Sequence, residues 1–111
     1  MRYPIDLAAL QTIVGQENVS VRSADLEAHS IDESCVAPCL PDVVVWPGDT
    51  EQVAAILRYA NEQRVPVVPW SGGSSLEGNP VPVNGGILLA MYRLKDILHV
   101  NEDDLQVTVQ P

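Results

Sequence analysis

The sequence predicts an α/β domain built on a small mixed sheet. Two observations predict it. A helix-periodic segment lies between two valine-rich runs, Val43–Trp46 and Val65–Trp70, and the second run breaks into Ser71-Gly72-Gly73-Ser74-Ser75, a turn closed by Gly78. Strand, helix and strand in that order make a βαβ unit over Val43 to Trp70, with further strands downstream.

The elements follow in order. Pro4 to Val14 reads as a helix: Asp6 caps it, Leu7, Leu10 and Val14 share one face, and Gly15 ends it. Val19 to Arg22 reads as a short strand, and Ala24 to His29 as one or two helical turns. Ile31 to Pro41 mixes polarities, contains two prolines and reads as a loop. Val43 to Trp46 is continuously apolar, the pattern of a strand buried on both faces. After Pro47-Gly48, Asp49 or Thr50 caps the clearest helix, which runs to about Gln63. Val53, Ile56, Leu57 and Ala60 recur at i, i+3, i+4 and i+7, and Gln52 completes a capping box with Asp49. Pro66 stops this helix, and Val65 to Trp70 is the next strand, placing Trp46 and Trp70 at the ends of two adjacent strands. Ile87 to Met91 is a third strand. Ile97 to Val100 and Leu105 to Gln110 are two more across the turn Asn101–Asp104, with Leu105, Val107 and Val109 on one face of the last.

Composition narrows the function. Apolar residues form 46% of the chain, with no phenylalanine, so the core rests on Val, Ile, Leu and Ala. Fifteen acids against six bases give a formal charge of −9, which argues against nucleic acid and against anionic membrane surfaces. No apolar run is long enough to span a bilayer, and the first residues lack the apolar segment of a signal peptide. The expected place is the cytosol, where Cys35 and Cys39 are reduced thiols.

The glycine turn carries the chemistry. Adjacent glycines let another group approach the main chain, and successive N–H groups in such a turn form a concave anion site. The loop holds three serines and no Lys, Arg or His, so backbone amides and hydroxyls must do any holding. It is neither a Walker loop nor a GxGxxG fingerprint, and glycine spacing alone favours a tight surface turn. No metal is expected: Cys35 and Cys39 have only His29 and His99 to complete a set, and Glu102-Asp103-Asp104 lacks the EF-hand spacing.

The run PDVVVWPGDTEQVAAILRYANEQRVPVVPWSGGSSLEG, Pro41 to Gly78, resembles the start of the flavin-binding domain of FAD-linked oxidases of the vanillyl-alcohol oxidase type. The nearest branch is that of D-lactate dehydrogenase and glycolate oxidase flavin subunits. Gly85-Gly86-Ile87, Met91-Tyr92-Arg93-Leu94 and Val107 to Pro111 support it. The resemblance implies that residues 1–111 form one partial domain, the first subdomain of a PCMH-type FAD-binding domain, with 1–24 as N-terminal helix and lead-in. It implies that the loop wraps the FAD pyrophosphate: Pro69, Trp70 and Ser71 lead in, Gly72, Gly73, Ser74 and Ser75 form the cradle, Leu76 packs beneath, and Gly78 and Asn79 close it. Glu77 is expected to point away. Ser74 stands where some relatives carry a flavin-linking histidine, so noncovalent FAD is implied.

The implied activity is oxidation of a 2-hydroxy acid such as D-lactate or glycolate, with electrons passed to an acceptor. The implied location is cytoplasmic, peripheral to a membrane electron-transfer chain. The family's flavin domain continues past Pro111, so no catalytic residue is assigned here. An unpaired C-terminal strand would favour self-association. A stand-alone, non-catalytic binding module of the same half-domain fold is the alternative.

Overall fold

The computed structural model describes residues 1–111. Helix α1 spans Leu7–Val14, starting three residues later than the expected Pro4 and in step with its first apolar residue. Asp6 sets that start: its carboxylate accepts the amides of Ala8 and Ala9 at 3.0 and 3.3 Å. A short 3₁₀ turn, Gln16–Asn18, leads into strand β1, Val19–Ser20, and then helix α2, Ser23–Ala28. Strand β2 is Val43–Val45, helix α3 is Thr50–Gln63, β3 is Val67–Trp70 and β4 is Ile87–Ala90. After the 3₁₀ turn Met91–Arg93, β5, Ile97–Asn101, and β6, Gln106–Val109, form a separate hairpin.

Asp49 caps α3, accepting the Gln52 amide at 2.8 Å. The Gln52 side chain reaches back one residue further than a capping box requires, to the Gly48 amide at 2.7 Å. That bond pins the turn after β2 as well as the helix start.

The main sheet is mixed, as predicted, with strand order β1-β2-β4-β3. β1 runs antiparallel to β2, while β4 is parallel to both β2 and β3. The two strands flanking α3 are therefore not adjacent: Leu88 faces Val44 on one side and Val68 on the other. What draws β4 into the gap is nonlocal. The buried Asp42 carboxylate accepts the Gly86 amide at 2.8 Å, the Asp42 amide donates back to Gly86 at 2.9 Å, and Ile87 donates to the Pro66 carbonyl at 2.9 Å. Those bonds set β4 in register with both neighbours.

Strand parity splits the core in two. Val43, Val45, Ile87 and Leu89 face α1 and α3, meeting Leu10, Val14, Ile56 and Ala60. Val44, Leu88, Ala90 and Trp70 face the other way, against Leu26 of α2 and Trp46. Of the four residues assigned to the apolar face of α3, Ile56 and Ala60 are buried and Val53 is half-buried. Leu57 is 46% exposed, because no element covers that flank of the helix.

The hairpin differs from its prediction. β6 begins at Gln106, and Leu105 lies in the turn at φ 54°, almost fully exposed. Val107 and Val109 are exposed too, so the alternation in β6 does not correspond to a buried face. No helix is long and apolar enough to cross a membrane.

Candidate functional site

Strand β3 ends at Trp70, and the chain turns sharply over its own last residue. Gly73 has φ 68°, and a Cβ there would overlap the indole of Trp70. Glycine is required at this point by the ring beneath it as well as by the turn. Gly78, at φ 79°, lies against Val36 in the same way. Gly72 is the open member: the nearest atom to a Cβ built there is Ser74 Oγ, at 3.7 Å.

From Gly72 through Leu76, no backbone N–H is hydrogen-bonded within the protein. Glu77, the next residue, donates to Ser75 Oγ at 3.1 Å. Four of these residues, Gly72 to Ser75, line a concavity of about 290 Å³ together with Pro69, Ser71, Asn79 and Pro80, none of them charged. Trp70 Nε1 is buried close beneath Gly73 and has no acceptor. Unpaired donors gathered without a carboxylate suit a strong acceptor, an anion, held by fixed dipoles despite the protein's net negative charge.

The predicted site residues fall into three groups. Pro69, Ser71, Gly72, Gly73, Ser74, Ser75 and Asn79 line one concavity. Trp70 and Gly78 support it from beneath and from the side. Leu76 does not pack beneath the loop; it is 74% exposed, because the Trp70 ring already occupies the space under the turn. Glu77 is exposed and outside the concavity, as expected.

Sequence reasoning missed the wall. Residues 29–36, read as the end of a helix and a featureless loop, run alongside the cradle. Glu33 donates its amide to the Ser75 carbonyl at 3.1 Å. His29 is buried, with its ring edge-on to Trp70 at a centroid distance of 5.2 Å and to Trp46 at 6.0 Å. Its Nδ1 lies 2.7 Å from the Asp25 carbonyl and its Nε2 3.4 Å from the Tyr92 hydroxyl. Asp32 is buried, its Oδ1 accepting the Ser34 amide at 3.0 Å and the Ser34 hydroxyl at 2.6 Å. Burial pushes the Asp32 carboxyl up. Hydrogen bonds from the Ser34 hydroxyl and amide, aided by the dipole of the nearby Gly78 amide, outweigh that and hold it below its ordinary value. The signal available in sequence was the Asp32-x-Ser34 spacing, suited to a side-chain-closed turn.

A larger concavity, about 660 Å³, lies toward the opposite, β1 edge of the sheet, between residues 16–25, Trp46 and Arg93. There Arg22 is already paired with Asp25 at 2.8 Å, and Arg93 Nη1 donates to the Trp46 carbonyl at 3.1 Å. Its charged groups are thus engaged with protein atoms.

The site is thus an amide-lined, uncharged turn at the end of a parallel strand in an α/β domain. Residues 41–111 match the family described as FAD binding domain, and the chain belongs to that family. It is 33% identical over 105 residues to the probable mitochondrial D-lactate dehydrogenase of Danio rerio, covering 95% of this chain and 21% of that protein. It is 34% identical over 99 residues to the glycolate oxidase subunit GlcD of Bacillus subtilis (strain 168), covering 89% of this chain and 21% of that one. The chain thus spans about a fifth of the length of these relatives. Among solved structures, the 4-ethylphenol oxidase from Gulosibacter chungangensis superposes with a TM-score of 0.76 at 29% identity, over 87% of this chain and 20% of that one. The family and the PCMH-type fold expected from the Pro41–Gly78 run are both found.

Proposed function

We propose that the loop from Pro69 to Asn79 holds the pyrophosphate of noncovalently bound FAD in a flavin-dependent oxidoreductase acting on a 2-hydroxy acid such as D-lactate or glycolate. The observation that carries this reading is the run of unpaired amides from Gly72 to Leu76 beside an uncharged concavity. The residues fit a diphosphate. Gly72 leaves its approach open, and Ser71, Ser74 and Ser75 add hydroxyl donors. FAD, when bound, supplies the two-electron redox chemistry, and the protein supplies binding and orientation. The relatives named for D-lactate and glycolate support the substrate class, and an electron acceptor completes the turnover. Ser74, in the place of a linking histidine, supports noncovalent attachment. No residue of this chain is assigned a catalytic role.

The test is Gly72→Val in the full reading frame. The added side chain meets little of the protein but stands at the edge of the amide cradle. The expected result is a folded protein that purifies without flavin absorbance. Normal flavin content would overturn the loop assignment. Residues 1–111 alone are expected to purify colourless, since the cradle grips only one part of a long, flexible ligand. They are also expected to self-associate through the free edge of β6, giving elution volumes that shift with concentration. A yellow monomer would contradict both expectations.

A further inference from the structure

We propose that Asp32 is a positioning residue of the cradle: it shapes the 32–36 turn on which Ser75 and Gly78 rest, and so keeps the amides between them presented to a diphosphate. The proposal deepens, and rests on, the reading of the loop as the FAD pyrophosphate site.

Both ends of the cradle's second half lean on neighbours of Asp32. Glu33 holds the Ser75 carbonyl, and Val36 stands where any Cβ on residue 78 would lie. Between these anchors, Asp32 orients Ser34. A carboxylate is an acceptor only, so the Ser34 hydroxyl must donate to Asp32 Oδ1, which leaves its own lone pairs for the Val36 amide, 3.1 Å away. The chain of donors therefore has one direction, and it ends on the residue that seats Gly78. An asparagine of the same shape would offer an NH₂ group as well as a carbonyl, and the direction would no longer be set.

Packing alone gives a poor reason for an acid at this position. Asp32 is buried, has no cationic partner, and its Oδ2 accepts no hydrogen bond. A buried carboxylate that is only half satisfied costs stability relative to a neutral residue.

The experiment uses the full reading frame, stripped of flavin and titrated with FAD by fluorescence, with apoprotein melting and amide hydrogen exchange measured in parallel. Asp32→Asn is expected to weaken FAD binding about tenfold or more, the scale of a lost hydrogen bond to a charged group. Apoprotein melting should stay close to wild type, while exchange across residues 72–78 quickens. Ser34→Ala should follow Asp32→Asn, and Ser34→Thr, which keeps the hydroxyl, should bind FAD as wild type does. An Asp32→Asn protein that melts earlier but binds FAD with unchanged affinity would show a purely structural role and overturn the proposal. If Asp32→Asn does not fold, equal FAD affinities for Ser34→Ala and Ser34→Thr would overturn it equally. Gly72→Val separates the two readings. If it blocks FAD while Asp32→Asn binds normally, only the role of Asp32 fails; if it too binds normally, the pyrophosphate site itself is wrong.

Discussion

The four-stranded sheet and the β5–β6 hairpin are built from similar residues and reach opposite ends. In β2 and β4 every residue is buried; in β6 every residue is exposed. Both regions pair their strands in ladders, though β2 and β4 are paired on both sides and each hairpin strand on one. The larger difference is cover. The sheet has α1 and α3 on one face and α2 with the two tryptophans on the other, whereas nothing packs on either face of the hairpin. Apolar alternation reports a strand's capacity to be buried; burial itself needs a partner surface. Two-stranded hairpins without one are marginal in water.

The sharpest way to break this contrast is to remove matching side chains from both regions. Leu88→Ala, in the fully buried centre of β4, should cost about 2–5 kcal/mol by urea unfolding, through lost burial and a cavity between two faces of packing. A cost below 1 kcal/mol would mean that the sheet is not the stability core. Next in size is Asp49→Ala, which removes the acceptor at the start of α3 and should cost about 1 kcal/mol. Val107→Ala should change stability by less than about 0.5 kcal/mol, as for an exposed position, while reducing concentration-dependent association.

The smallest effect concerns pH. A hydrogen bond from the Ser20 hydroxyl, opposed by burial and reinforced by Arg22, holds the Asp25 carboxyl below its ordinary value. A group with a depressed folded pKa contributes stability that is complete above its unfolded value and disappears as pH falls through its folded value. Asp25→Asn should therefore flatten the acid limb of the stability curve below about pH 4 and leave the neutral plateau shape unchanged. Parallel acid limbs for the two proteins would remove this link between β1 and α2.

Where local rules decide, the sequence was legible. Asp6, Asp49, Gly15 and Pro66 mark helix ends through chemistry that acts within a few residues, and the valine runs announced their strands. Gly73 and Gly78 were legible for the same reason: a tight turn that needs positive φ favours glycine wherever it occurs. Strand order was not, because the insertion of β4 between β2 and β3 depends on Asp42 meeting Gly86 across more than forty residues. Leu57 was misassigned because periodicity gives the direction of a stripe and not the width of what covers it. Leu76 was misplaced because nothing local says that Trp70 folds under its own turn. The wall of residues 29–36 was missed for the most general reason: its value lies in contacts with Ser75 and Gly78, and its own composition is that of any polar loop.

The strand order has a consequence for how the chain is made. As the polypeptide leaves the ribosome from its N-terminus, β2 emerges with only the two-residue β1 to pair with, and β3 emerges with no ladder partner at all. Both must wait until Ile87–Ala90 arrives, the strand that joins them. During that interval the valine edges of β2 and β3 stay open, and the first turn of the sheet's assembly is a post-emergence event rather than a progressive one. A pause that falls after Trp70 has left the ribosome but before Ala90 has would prolong the exposure, while emergence that carries quickly through Ala90 would close both edges in a single step.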